Sequence, residues 1–343
     1  MSKIGKIDLN TFETFIMNKL GKPDKRVIVP PKTGIDAAVI DIGNDNVLII
    51  AEDPIFPMPF GDYKDFGYYT VHIGASDVSV MGVKPQFMTY TLLMPQDTPD
   101  DDFKDIVDSI HKTASELGIA ITGGHTGYYP AVTVPIIGGI TVFSVAGKNA
   151  YVTPAGAKIG DKIIITKGPA IEATGILSVI YEKSLLKEFT SETIEKAKSL
   201  MKDITVVKDA EIAMKTGGVT SMHDATEGGV TGGLFEVASA SNTGMYVDEE
   251  KFIFPEEVKK VMEFLSIDPI EAISEGTLII TVSSDKADEI VLNLAKENIA
   301  SSIVGEVIPL KEGRKVKRIS GIVEDLHIPY QDPFWKTFFK GLG

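Results

Sequence analysis

The chain has 343 residues, 43% hydrophobic and 24% charged, a globular composition long enough for two domains of ordinary size. A formal net charge of −14 argues against nucleic acid or an anionic membrane as the main partner; phosphorylated metabolites stay open, because a few local cations and Mg²⁺ can hold them. With no cysteine, disulfides, thiolate metal sites and cysteine nucleophiles are all removed. The opening MSKIGKIDLNTFETF has no apolar signal core, and no apolar run reaches membrane-spanning length, so a cytoplasmic protein is expected.

In chain order, NTFETFIMNKLGK spaces Phe12, Phe15, Ile16 and Leu20 as a helix, with Gly21 past its end. DAAVIDIGNDNVLIIAED reads as a hairpin turning at Gly43 to Asn46. PIFPMPFGD is an irregular loop, residues 65–81 a helix with small residues near its end, and PQFMTYTLLM a strand. TPDDDFKDIVDSIHKTASELG is an amphipathic helix with acid in its first turn. IAITGGHT and VTVPIIGGITVFSVAG read as strand, glycine turn and long strand. Periodicity lapses at 147–160, which places a linker and divides the chain into mixed α/β domains at 1–150 and 151–343. Strands KIIITK, VTSMHD and TLIITVS then alternate with helices at about 171–182, 191–201, 229–241, 255–264 and 287–298.

Chemistry concentrates where acids or His stand beside glycine in otherwise core-like sequence. Asp36, Asp53 and Asp77 come from separate segments, as a hard cation requires, since Mg²⁺ takes one or two carboxylates and completes its octahedron with phosphate and water. A turn or cap role fits each of these aspartates as well. MHDATEGGVTGG ends a strand at His223-Asp224 and enters a helix through Glu227, Gly228 and Gly229, a form that can cradle an anion or serve as a turn with a capping box. His72 reads first as a helix histidine. Neither GxGxxG nor a Walker A motif is present.

The order DAA, ED, SDVSVMG, GGHT, TKG, HDATEGG, EG resembles the aminoimidazole ribonucleotide (AIR) synthetase superfamily, the PurM-like fold that includes selenophosphate synthetase, thiamine-monophosphate kinase and HypE. The likeness is closest to archaeal HypE-like proteins. It implies a homodimer whose N-terminal sheets pair into an interface barrel, with ATP and Mg²⁺ in a nearby cleft. Asp36, Asp53 and Asp77 would then hold metal, and Gly123, Gly124, His125, Thr126, Lys167, Gly228 and Gly229 would bind the nucleotide. His223, Asp224 and Glu227 would line the acceptor side, Glu275 would be a general base, and Glu172 would shape the same cleft. The implied activity is ATP-dependent phosphorylation or activation of a small acceptor oxygen. The alternative is a nucleotide-binding accessory protein working with a maturation partner. Ile35 stands where the family has a second aspartate, and without a cysteine this chain is not expected to run the HypE reaction on itself.

Overall fold

The computed structural model describes residues 4–59 and 62–343. Residues 60 and 61 of the expected proline-rich loop, and residues 1–3 of the opening segment, lie outside that range. Strands β1 (Val27–Val29), β2 (Ala38–Gly43), β3 (Asn46–Ile55), β4 (Phe87–Met94), β5 (Ala120–Tyr128) and β6 (Ile136–Gly147) form a six-stranded sheet of order β1-β2-β3-β6-β4-β5. Strands β7 (Lys162–Thr166), β8 (Val219–Asp224), β9 (Gly244–Asp248), β10 (Leu278–Val282), β11 (Ser301–Ile308), β12 (Arg314–Lys317) and β13 (Val323–Asp325) form a second, of order β13-β12-β9-β11-β7-β10-β8. Both are mixed. β4–β5 and β9–β12 are parallel pairs in otherwise antiparallel ladders. Within one chain the first sheet is open, so the expected barrel is not closed by a single copy.

The longer helices are α1 (Phe66–Ser79), α2 (Asp100–Leu117), α3 (Ile171–Ile180), α4 (Ser191–Ser199), α5 (Val207–Thr216), α6 (Gly229–Ala240), α7 (Glu256–Leu265), α8 (Ala287–Lys296) and α9 (Pro333–Leu342). α2 begins with Asp100, Asp101 and Asp102, which suit the helix dipole, and stops at Gly118 in the left-handed conformation.

Packing of α1 on the first sheet positions the site. A side chain at Gly74 would come within 2.8 Å of Ile140, so the helix lies directly on β6 there. Ile140 is opposite Asp53 in the β3–β6 register. Asp77, three residues beyond Gly74 and on the same helix face, is thereby carried to Asp53. The far side of α1 joins the second sheet's layer: His72 Nδ1 meets Thr205 Oγ1 at 2.8 Å, and Tyr68 donates to the Lys202 carbonyl. Val80, at the end of α1, is buried in one cluster with Ile164, Met222 and Ile280 of the second sheet.

Candidate functional site

Carboxylates from both sheets converge on the cleft between them. Asp36 leads into β2, Asp53 lies near the end of β3 and Asp77 on α1; Asp224 ends β8, and Glu275 lies in the turn before β10. Burial raises Asp53 above the usual carboxylate range, against the lowering charge of Lys6. Burial, then the charges of Asp53, Asp224 and Asp36, pushes Asp77 well above the usual carboxylate range. Burial and Asp36 raise Asp224 to about 7. Glu275, 4% exposed, is raised well above its ordinary value by burial and by Asp224 and Glu172. Its Oε1 is buried and has no partner. Burial is the largest cause in each case and favours the protonated forms of these acids.

His223 is clamped. Its Nδ1 meets Asp36 Oδ2 at 2.7 Å and its Nε2 meets Glu236 Oε2 at 3.0 Å. Burial alone would lower the imidazole pKa, but the two acids outweigh it and raise it well above the ordinary value. The ring is therefore a fixed cation that orients Asp36. Burial would raise Glu236, on α6, but its bond to His223 and the charges of His223 and Lys6 together hold it low.

Donor atoms of Asp36, His223 and Asp224 lie within 4.8 Å of one another. Because both ring nitrogens are occupied by carboxylates, the oxygens are the ligands on offer. An all-oxygen set suits Mg²⁺ or Mn²⁺ better than zinc.

The chain matches the AIR synthase related protein N-terminal domain over residues 34–145 and the corresponding C-terminal domain over residues 158–317. It belongs to the AIR synthase related family. It is 32% identical over 248 residues to selenide, water dikinase of Haemophilus influenzae, covering 72% of this chain and 68% of that one. It is 27% identical over 300 residues to carbamoyl dehydratase HypE of Cupriavidus necator, covering 86% and 78%. A crystal structure of hydrogenase maturation protein HypE in complex with ATP superposes with a TM-score of 0.72 at 22% identity, covering 95% of this chain and 93% of that one.

In this family member the residues expected from sequence fall into three groups. Asp36, Asp53, Asp77, His223, Asp224 and Glu275 come together as described. Gly123, Gly124, His125 and Thr126 do not join them within one chain. They are part of the exposed edge strand β5, so the Gly-Gly pair is strand and not the expected turn. Glycine is tolerated there because β5 pairs on one side only, with β4. Asp53, Ile140, Tyr90 and Gly124 stand in register on successive strands, which puts Gly124 roughly 14 Å from Asp53 across three strand spacings. His125 Nε2 instead meets Tyr129 Oη at 2.6 Å.

The third group is committed locally. Lys167 Nζ donates to Asp209 and, at 2.7 Å, to the Thr205 carbonyl. The Gly228 N–H, expected to face an anion, donates to Asp332 Oδ2 at 2.8 Å, and the Gly229 N–H donates to the Thr226 carbonyl at 3.0 Å. Glu227 Oε2 accepts from the backbone N–H of Lys6 at 2.9 Å.

Glu236, Asp332 and Lys6 escaped the motif reading. Glu236 has a signal, being the sole charge in the otherwise uncharged GVTGGLFEVASA. Lys6 has none. Glu172 was noticed but its contact was not: its Oε2 accepts from the Glu275 N–H at 2.9 Å, and burial raises it to about 7. Among the described residues no helix is long and apolar enough to cross a membrane.

Proposed function

We propose that the protein is an ATP- and Mg²⁺-dependent enzyme that phosphorylates or activates an oxygen of a small acceptor. One observation carries this reading: Asp36, Asp53, Asp77, Asp224 and Glu275 converge from two sheets, and burial pushes the last four towards their protonated forms. A polyphosphate alone would be repelled there, whereas a polyphosphate with divalent cations would be welcomed. Asp36, Asp53, Asp77 and Asp224 would hold Mg²⁺, whose chemistry is to neutralise charge on the transferring phosphoryl group. The family relatives named above, a dikinase and an ATP-complexed HypE, support ATP as the donor.

The chain's own residues supply orientation and proton handling. His223, fixed by Glu236, aims the Asp36 carboxylate. Glu275 holds a buried, unpartnered Oε1 while its backbone N–H is pinned by Glu172. As a neutral acid it can donate to the acceptor; once cations enter, its proton is more readily lost and the same atom becomes a base. The accessory reading keeps the same site but has no turnover. A single-turnover assay with γ-labelled ATP and candidate acceptors separates the two.

Asp77→Asn removes a charge that faces the cation and keeps the shape of the side chain. Calorimetry is expected to show ATP binding in Mg²⁺ weakened at least tenfold while the circular dichroism spectrum is unchanged. Equal affinity in wild type and variant would remove Asp77 from the metal site.

A further inference from the structure

The chain's own N-terminal segment enters the carboxylate cleft. Gly5 is threaded between two side chains: a Cβ there would lie 2.0 Å from Glu227 Oε1 and 2.6 Å from Trp335 Nε1. With φ at +79°, the backbone also adopts a conformation that favours glycine. Lys6 follows. Its N–H donates to Glu227 Oε2 at 2.9 Å, and its ammonium donates to Thr226 Oγ1 at 2.8 Å. Thr226 lies two residues beyond Asp224, which puts the ammonium within the field of Glu236, Asp77, Asp224 and Asp36 while the residue stays exposed to water. Three of these four acids are the proposed metal ligands. Thr226 gives the ammonium only a neutral hydroxyl, so the acids around it are what call for a cation at this position.

We infer that Lys6 is a tethered cation that competes with divalent metal for the carboxylate cleft, so that metal entry displaces the segment around Gly5 and Lys6. This deepens the metal reading above and rests on it. A +1 ammonium on a flexible stem satisfies the acids only in part, and a divalent ion satisfies them better. Two cations in one cleft repel each other, so each lowers the other's affinity by the same factor. Glu275 Oε1, buried and without a partner even with Lys6 in place, marks the part of the cleft that the ammonium does not serve.

The chain's single tryptophan reports the movement, because Trp335 Nε1 is the atom against Gly5. Mn²⁺ is the probe, counted as free ion by electron paramagnetic resonance and followed in parallel by Trp335 emission. Lys6→Gln is expected to bind Mn²⁺ at least tenfold more tightly than wild type, and Lys6→Arg to stay near wild type. Adding Mn²⁺ to wild type should shift the emission towards that of metal-free Lys6→Gln. Unchanged or weaker Mn²⁺ binding in Lys6→Gln overturns the competition and leaves the metal site standing. Absence of Mn²⁺ binding in every variant overturns the metal site and the competition together. Circular dichroism confirms that each variant is folded.

Discussion

At the scale of single residues, the acids near Gly74 to Pro85 show why a carboxylate sits in core-like sequence. Asp77 is placed by the close contact of Gly74 with Ile140 and stands beside Asp53, another acid, which is the setting the proposed cation would relieve. Motif order made these aspartates legible, whereas Lys6 was invisible because its role depends on chain folding back across 220 residues to Thr226. Gly229 illustrates the limit in the other direction. Its glycine-rich context suggested an anion cradle, yet φ is +62° and a Cβ would fall 2.7 Å from the Ile270 carbonyl oxygen. Gly229→Ala is therefore expected to destabilise by about 2 kcal/mol or more, since both strain and backbone contact oppose it. A thermal melt checks this. An unchanged melting temperature would mean the loop is not held as described.

His72 supports a pH prediction at the same scale. Burial, with Lys167 adding to it, lowers its pKa from 6.5 to about 4. Between those values the unfolded chain takes up a proton at this position that the folded chain refuses. Stability from this residue is thus full above pH 6.5 and is lost as pH falls towards 4. The loss amounts to about 2–3 kcal/mol. Urea melts of wild type and His72→Gln are expected to converge by that amount between pH 7 and pH 4. A gap independent of pH would contradict the neutral, buried imidazole.

At the scale of elements, strong periodicity was readable and short or locally ordinary segments were not. The hairpin of β2 and β3, the helices α1 and α2, and strands β7, β8 and β10 follow from alternation, caps and turn residues. β5 was read as ending in a turn because Gly-Gly carries no periodicity, and its parallel partner β4 lies distant in sequence. α9 was not expected, although its cap is strong. Asp332 Oδ1 accepts from the Phe334 N–H at 2.9 Å while Oδ2 accepts from the Gly228 N–H at 2.8 Å, so one carboxylate caps the helix and pins the HDATEGG loop. Asp332→Ala is expected to cost about 1–3 kcal/mol, because it removes a helix cap and leaves a buried N–H without a partner. It should also change the emission of Trp335 on the same helix. A loss below about 0.5 kcal/mol in denaturant melts would show that the loop and helix are held by other contacts.

At the scale of the whole molecule, the open first sheet leaves β5 as an edge, with eight of its nine residues exposed. Ile121 and Tyr128 are among the exposed large apolar side chains there. A long, unprotected edge of this kind invites pairing, which agrees with the homodimer that the family resemblance implies. Light scattering at micromolar concentration is expected to give twice the chain mass, and a charge placed on the strand by Ile121→Lys should shift it towards monomer. A wild-type monomer would contradict the pairing. The two-domain character and the family were legible from composition and motif order. The resemblance implied that acids of both domains serve one cleft, but composition and spacing could not show how α1 docks against the second layer to bring them together.

The central claim is that the carboxylate cleft takes ATP only together with a divalent cation. The most direct test is the thermal melt of the wild-type protein with ATP, once with Mg²⁺ and once with a chelator, each against its own nucleotide-free control. The account expects ATP to raise the melting temperature by several degrees with Mg²⁺ and to leave it unchanged in chelator. An equal rise in both would show that ATP binds without metal, which a cleft ringed by Asp36, Asp53, Asp77 and Asp224 does not permit.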